Sequence, residues 1–159
     1  MFKRILIPLD GSPLAEAALP AGLELATRFD SKITIVRVLQ PPHLMITDAN
    51  GGVYATLLQE LREQAEADAR IYLQNFMGSL RQQGFDVGMK LVENENIAEA
   101  VLDVVDMVKA DIIVMSTHGR GGISRWVYGS IADRLLQQAD VPILLIRAKE
   151  ESVPITWDG

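Results

Sequence analysis

Residues 111–130 read DIIVMSTHGRGGISRWVYGS. A short apolar run is followed by a glycine-rich segment, and an amphipathic helical pattern begins where this stretch ends. The apolar residues 111–114 predict a short buried strand. The glycines that follow predict a turn whose backbone can approach a ligand closely. The helix after the turn begins with N–H groups that have no partner inside the helix. A strand, a glycine turn and a helix N-terminus in this order form an anion site, and we expect nucleotide phosphates there.

The composition is that of one acidic globular domain. The chain has 159 residues, 48% hydrophobic content and a formal net charge of −6. We expect a single domain over residues 1–159 that ends in a tail at residues 147–159. The acidic balance argues against nucleic acid or an anionic membrane as a partner. The absence of cysteine excludes disulfides and thiolate chemistry. There is no signal-type start and no apolar run of membrane-span length, so we expect a cytoplasmic protein.

Strands and helices are predicted to alternate along the chain. Apolar or β-branched runs predict the strands, and apolar stripes at helical spacing predict the helices. Pro20 lies inside the first helical pattern and predicts a kink or a break. The predicted strands are residues 5–9, 32–39, 85–93, 111–114 and 141–146, and the predicted helices are residues 13–29, 54–80, one that starts after Asn94 or Asn96, and 130–139.

Three further local features are predicted. Ser12 is placed to cap the first helix, with Pro13 at its first position. Residues 40–53 contain two prolines and two glycines without periodicity, which predicts a long loop. Ser130, with Asp133 three residues later, resembles a capping box at the start of the last helix.

This alternation predicts an α/β fold, a Rossmann-like open parallel sheet with helices on both faces. Ligands of such sheets bind outside the carboxyl ends of the strands, where the strand order reverses. If the first strand is central, with the second and third on one side and the fourth and fifth on the other, the reversal lies between the first and fourth strands. The loops at that point are residues 8–12 and 115–130.

Two common phosphate-binding motifs are absent. The sequence contains no Gly-Lys-Ser or Gly-Lys-Thr, so it has no P-loop. Gly11 stands alone after the first strand, so the dinucleotide-binding fingerprint is absent too. From composition alone, the segment 115–130 is either a phosphate loop or a tight structural connection.

A family resemblance covers nearly the whole chain. The start Ile-Leu-Ile-Pro-Leu-Asp-Gly-Ser, the second-strand Ile-Thr-Ile-Val-Arg-Val-Leu and the ending Ala-Asp-Val-Pro-Ile-Leu-Leu-Ile-Arg resemble the universal stress protein family. The run from Thr117 to Arg120, followed by Gly129-Ser130 after nine residues, is similar to the ATP motif of one branch of that family. The resemblance implies five strands in the order 3-2-1-4-5, a homodimer and an ATP site.

The resemblance also implies roles for individual residues. Backbone N–H groups at 119–120 and 129–131 would face the phosphates, with the Ser130 hydroxyl as an added donor. His118 would lie beside the ribose or the phosphates, and Asp10 beside the ribose or a phosphate-bound Mg²⁺. No protein cluster would hold the metal directly. The implied nucleotide-binding residues are Pro8, Leu9, Asp10, Val38, Met115, Ser116, His118, Gly119, Arg120, Gly129, Ser130 and Ile131.

One residue departs from the family motif. The motif begins with glycine, and Ser116 occupies that position here. Serine is tolerated there if its φ is negative, and its hydroxyl could then reach a phosphate. A positive φ would destabilise the turn by about 1 kcal/mol or more.

The function expected from these observations is an ATP-binding stress-response or signalling module that works through occupancy and dimerisation. No nucleophile–base–orienter set is visible, so we expect at most slow ATP hydrolysis. The apolar final strand, residues 141–146, would be an exposed edge in a monomer and is expected to pair with its copy. Two alternatives remain from the sequence: a dimeric scaffold that binds no nucleotide, and an enzyme that uses an adenine nucleotide.

Overall fold

The structure is a computed structural model that describes residues 1–42, 51–118 and 129–148. Five parallel strands form one sheet in the order β3-β2-β1-β4-β5. This confirms the predicted fold class and strand order. In chain order the elements are β1 (Arg4–Pro8), α1 (Pro13–Glu16), α2 (Leu19–Phe29), β2 (Lys32–Leu39), α3 (Gly51–Gln82), β3 (Val87–Glu93), α4 (Ile97–Val108), β4 (Ile112–His118), α5 (Ser130–Gln138) and β5 (Ile143–Ala148).

The sheet carries a separate apolar layer on each face. Side chains alternate across a strand, so Ile5 and Ile7 of β1 face one way and Leu6 faces the other. The first pair packs with α2 and α3, whose buried residues include Leu19 and Leu73. Leu6 packs with α4 and α5. Both faces of the central strands are therefore covered, which explains why these strands are continuous apolar runs.

The first predicted helix is two helices. α1 ends at Glu16 and α2 begins at Leu19, so the break precedes Pro20. Proline lacks the N–H that a helix interior needs, but N–H groups in the first turn have no helical partner anyway. Pro20 therefore lies in the first turn of α2, and a kink within one long helix was the wrong alternative. Ser12 caps α1 as predicted, because its Oγ accepts a 3.1 Å hydrogen bond from the Ala15 amide.

The fourth and fifth strands differ from the prediction. β4 continues to His118, whereas residues 115–118 were predicted to belong to the loop. These residues pair in register with β5, as in Ser116 with Ile146 and Thr117 with Arg147. β5 correspondingly runs two residues past the predicted end, so Arg147 and Ala148 belong to the strand and not to the tail. The pairing of β4 with β5 extends both strands, although the polar residues at their ends do not continue the apolar pattern that predicts a buried strand.

One helix start and one helix cap also differ from the prediction. α3 begins at Gly51, inside the predicted loop 40–53. Asn96 caps α4, which resolves the choice between Asn94 and Asn96, and its side chain accepts from the Glu99 amide. The capping box predicted for α5 is wrong, because Gly129 is the N-cap and Ser130 is already helical. The Asp133 carboxylate accepts a 3.0 Å hydrogen bond from Gln137 instead.

Candidate functional site

A cavity of about 200 Å³ opens at the carboxyl ends of β1 and β4. These two strands are neighbours, and the chain leaves β1 toward β2 and β4 toward β5, so the cavity lies at the predicted reversal of strand order. The lining residues come from β1, β2 and β4, from the loop after β1, and from α1, α4 and the start of α5: Pro8, Leu9, Asp10, Leu14, Ala15, Val36, Val38, Ile97, Val101, Met115, Ser116, Thr117, Gly129, Ile131, Ala132 and Leu135.

The loop after β1 forms a compact turn at the cavity. The Asp10 carboxylate accepts a 2.8 Å hydrogen bond from the Ser12 amide, which fixes the turn into α1. Gly11 between them has φ +89°, a conformation that L side chains rarely adopt. Hydrogen bonding to β2 continues one residue past the end of β1, because the Leu9 amide donates to the Val36 carbonyl at 2.8 Å. Asp10 is thereby held at the mouth of the cavity with its side chain exposed.

The N-terminus of α5 opens on the same cavity. Its N-cap, Gly129, supplies no side-chain hydrogen bond, and the first intrahelical bond runs from the Asp133 amide to the Gly129 carbonyl. The first-turn amides at residues 130–132 therefore have no cap from this residue. A Cβ added to Gly129 would meet nothing within 4 Å among the described residues. The amides and the dipole of a helix N-terminus favour an anionic acceptor at this end.

The backbone at Ser116 is not strained. Ser116 lies in β4, and its φ is not positive. Its hydroxyl donates a hydrogen bond to the backbone carbonyl of Leu14 in α1. The penalty expected for a positive φ therefore does not arise, and the hydroxyl already has a partner within the protein.

The walls of the cavity include residues that the sequence reasoning missed. Leu14 and Ala15 come from α1, and Ile97 and Val101 come from α4. In the sequence these are apolar residues at helical spacing, a pattern that core residues share, so no local signal marks them. Val38, which was predicted, lines the same apolar part of the cavity.

A polar cluster lies beside the cavity, where β2, α1 and α3 meet. The Tyr72 hydroxyl donates a 2.9 Å hydrogen bond to the Glu16 carboxylate. The Arg37 guanidinium lies 5.2 Å from the centre of the Tyr72 ring. It also borders Gly11, where an added Cβ would stand 3.3 Å from its nitrogens. Burial, followed by the hydrogen bond and the negative charge of Glu16, raises the pKa of Tyr72 far above its ordinary value, so the hydroxyl stays protonated.

The structure brings together most of the predicted site residues that it describes. Ser130 is the exposed first residue of α5 beside the cavity and does not line it. The side chain of His118, and all of Gly119 and Arg120, lie outside the described residues. The predicted residues that line the cavity are Pro8, Leu9, Asp10, Val38, Met115, Ser116, Gly129 and Ile131.

Two kinds of feature are absent from the described residues. Across residues 1–42, 51–118 and 129–148, no three histidine, aspartate or glutamate side chains are grouped closely enough to hold a metal ion. In the same part of the chain, no helix is both long and apolar enough to cross a lipid bilayer.

A five-stranded parallel sheet with a cavity at its switch point defines a Rossmann-like α/β protein. The chain belongs to the universal stress protein family, whose family model matches residues 1–147. A universal stress protein of Methanocaldococcus jannaschii is 26% identical over 147 residues, which cover 92% of this chain and 83% of that protein.

Solved structures share the fold. The universal stress protein UspA from Lactobacillus plantarum superposes with a TM-score of 0.75 at 19% identity, covering 92% of this chain and 98% of that one. A universal stress protein from Archaeoglobus fulgidus, solved in complex with dAMP, gives a TM-score of 0.60 at 19% identity and covers 92% of this chain and 100% of that one.

Proposed function

We propose that this protein binds an adenine nucleotide, ATP in the first place, in the cavity between β1 and β4. The observation that carries the proposal is the position of the α5 N-terminus, which has no side-chain cap among the described residues and opens on a largely apolar cavity. A nucleotide needs both features, since its base is planar and largely apolar and its phosphates are anionic. The complex of the Archaeoglobus relative with dAMP supports an adenine nucleotide as the ligand class.

The apolar end of the cavity suits the base. Val36 and Val38 of β2 face Ile97 and Val101 of α4, and these side chains present hydrocarbon without charge. A base placed there would gain about 25 cal/mol for each Å² of apolar surface removed from water. The backbone of Val38, near the end of β2, could offer the polar contacts that select adenine.

The phosphates would lie at the start of α5. Amides at residues 129–131 supply donors there, and the helix dipole adds positive potential. In the proposal, the backbone N–H groups of Gly119 and Arg120 would also donate to the phosphates. Asp10 at the cavity mouth would approach the ribose or a Mg²⁺ carried by the phosphates, since hard cations of this kind take oxygen ligands.

We propose that the protein binds ATP without hydrolysing it rapidly. Among the described lining residues, the polar side chains are Asp10, Ser116 and Thr117. Asp10 already accepts from the Ser12 amide, and Ser116 already donates to Leu14. A general base would have to stand within hydrogen-bond reach of an attacking water, and none of these three is arranged with a partner for that role. Slow hydrolysis of bound ATP is the most that we expect.

The second part of the proposal is a cytoplasmic homodimer that pairs through β5. This strand is the last of the sheet, so one side of its backbone has no partner strand among the described residues. The side chains from Ile143 to Ile146 are only half-buried, whereas Ile5, Leu6 and Ile7 in the central strand are fully buried. An apolar, half-covered edge strand invites pairing with a second copy, and a two-fold axis would satisfy both copies equally.

The test of nucleotide binding uses the protein as purified and then titrated. Mass spectrometry of the material released on denaturation should detect ATP or another adenine nucleotide. Calorimetric titration of nucleotide-free protein with ATP and Mg²⁺ should give saturable heat. The absence of both bound nucleotide and a calorimetric signal at millimolar ATP would overturn the proposal in favour of a non-binding scaffold of the same fold.

A further inference from the structure

The short helix α1 forms one wall of the cavity. It consists of four residues, and two of them, Leu14 and Ala15, line the cavity directly. A helix of one turn is not stable alone, because nucleation fixes several residues for a single hydrogen bond. Its position must therefore be set by contacts with the rest of the fold.

The first of these contacts comes from β4. The Ser116 hydroxyl donates to the Leu14 carbonyl, which joins the middle of α1 to β4. Val114 belongs to the apolar layer with α2 and α3, and Met115 belongs to the opposite layer. Alternation along the strand places the Ser116 side chain on the side of Val114, where α1 lies. The serine therefore reaches α1 without pointing into the α4 side of the cavity.

The second contact comes from α3. The Tyr72 hydroxyl donates to the carboxylate of Glu16, the last residue of α1. The Tyr72 ring is itself fixed on two sides, by an edge-to-face contact with Phe76 at 5.0 Å and by Arg37 at 5.2 Å. A ring held in this way restricts where Glu16 can lie. α1 is thus anchored in its middle by one strand and at its end by one helix.

We propose that Ser116 and Tyr72 are positioning residues that set the nucleotide affinity by holding α1 against the cavity. The proposal rests on the proposed function, since it concerns the same site. It gives a specific role to the serine that replaces the first glycine of the family motif. Removal of either hydroxyl should let α1 move, and the wall formed by Leu14 and Ala15 would then fit the nucleotide less well.

The experiment compares four variants with the unmodified protein. Ser116→Ala and Tyr72→Phe each remove one hydroxyl, and Ser116→Thr keeps a hydroxyl at the same place. Ser31→Ala is the matched control, because the Ser31 hydroxyl also donates to a backbone carbonyl, that of Phe2, at the opposite end of the sheet. Each protein is titrated with ATP and Mg²⁺ by calorimetry. Amide hydrogen exchange is measured over residues 13–18.

We expect Ser116→Ala and Tyr72→Phe each to raise the Kd by about fivefold, the effect of losing one ordinary hydrogen bond. Exchange at residues 13–18 should rise in the same two variants. Ser116→Thr should recover most of the lost affinity, and Ser31→Ala should lower the melting temperature without changing the Kd.

Three results would overturn the inference. One is an unchanged Kd in both hydroxyl-removing variants of a protein that binds ATP. Another is faster exchange at residues 13–18 without any loss of affinity, which would make the two bonds merely structural. The third is a loss of affinity without faster exchange, which would mean that the hydroxyls contact the ligand themselves. A failure of the unmodified protein to bind ATP would instead overturn the proposed function.

Discussion

The hydroxyl of Tyr72 and the carboxylate of Glu16 are 2.9 Å apart, although 56 residues separate them in the sequence. The bond joins the long helix α3 to the single turn of α1. Tyr72 donates and Glu16 accepts, so the contact requires a protonated tyrosine. This requirement leads to a prediction about alkaline pH.

Tyr72 should make the folded state sensitive to high pH. Its pKa is raised in the folded protein by burial and by Glu16, whereas in the unfolded chain it titrates near pH 10. Below about pH 10 both states hold the proton, and the stabilisation is fully present. Above that, the unfolded chain loses its proton while the folded protein keeps it, so stability falls as pH rises.

Urea unfolding between pH 8 and 11 measures this effect. The unmodified protein should lose stability above pH 10 more steeply than Tyr72→Phe. The difference should be less than about 1.4 kcal/mol per pH unit, because Tyr72 is only half-buried and water screens the interaction. Parallel curves for the two proteins would contradict the raised pKa.

Gly129→Val should remove nucleotide binding while leaving the fold intact. A Cβ at residue 129 would meet no described atom within 4 Å, and the φ of −53° suits an L residue. The branched side chain would instead occupy the space in front of the α5 amides. We expect a loss of at least about 100-fold in affinity, equivalent to about 2.7 kcal/mol, with a melting temperature close to that of the unmodified protein.

Gly129→Ala is the graded companion to this variant, because it adds a single methyl group at the same place. Its Kd for ATP should fall between those of the unmodified protein and Gly129→Val. Retention of full affinity by the valine variant would show that the phosphates bind elsewhere.

Asp111 should contribute to stability but not to binding. Its carboxylate accepts hydrogen bonds from the Lys3 amide at 2.8 Å and the Arg4 amide at 3.0 Å, which tie the start of β1 to the start of β4. Asp111→Ala should lower the free energy of unfolding by about 1.5 kcal/mol, the lower range for bonds to a charged acceptor, because these groups reach solvent.

Asp111→Asn serves as the control for this pair of bonds, since it keeps one carbonyl oxygen and should cause a smaller loss. Chemical denaturation measures both variants. Their Kd for ATP should match that of the unmodified protein, because Asp111 lies at the amino end of β4 and the cavity lies at the carboxyl end. A weakened Kd in Asp111→Asn would contradict this separation of roles.

Dimerisation through β5 should depend on an outward-facing backbone amide. The Ile113 amide donates to the Pro142 carbonyl, and the alternation of a parallel ladder then directs the Leu145 amide away from β4. Leu145→Pro removes that donor without removing a bond to β4. Analytical ultracentrifugation should find the unmodified protein dimeric and Leu145→Pro monomeric.

Leu145→Ala separates the amide from the side chain, because it also loses the leucine but keeps the N–H. We expect it to remain a dimer, with some loss of stability. If Leu145→Pro stays dimeric while folded, the interface is not the edge of β5.

The sequence predicts the fold well because the fold depends on apolar periodicity. The apolar runs of β1 and β2 and the apolar stripe of α4 mark buried elements directly, and their alternation implies a parallel sheet. The end of β4 was missed because the deciding contact is distant in the sequence. Residues 116–118 are polar and resemble a loop, and their pairing with β5 makes them a strand.

The sequence predicts only part of the site. Asp10 lies in the loop after β1, Ser116 near the end of β4 and Gly129 at the N-cap of α5, where motif patterns are informative. Ile97 and Val101 resemble ordinary core residues, and only the packed structure shows that they face a cavity. The bonds from Ser116 to α1 and from Tyr72 to Glu16 join residues far apart in the chain, so no sequence pattern predicts them.

The central strand is also the shortest of the sheet. β1 has five residues, β2 has eight and β4 has seven. β4 pairs with β1 only as far as Leu6 and Ile113 and then continues beside β5, so the middle of the sheet edge is indented. The width of this notch is set by two strand spacings, about 9.6 Å from β2 to β4. Backbone geometry thus sets the spacing of the strands at the floor of the cavity, whereas its walls depend on how α1, α4 and α5 pack.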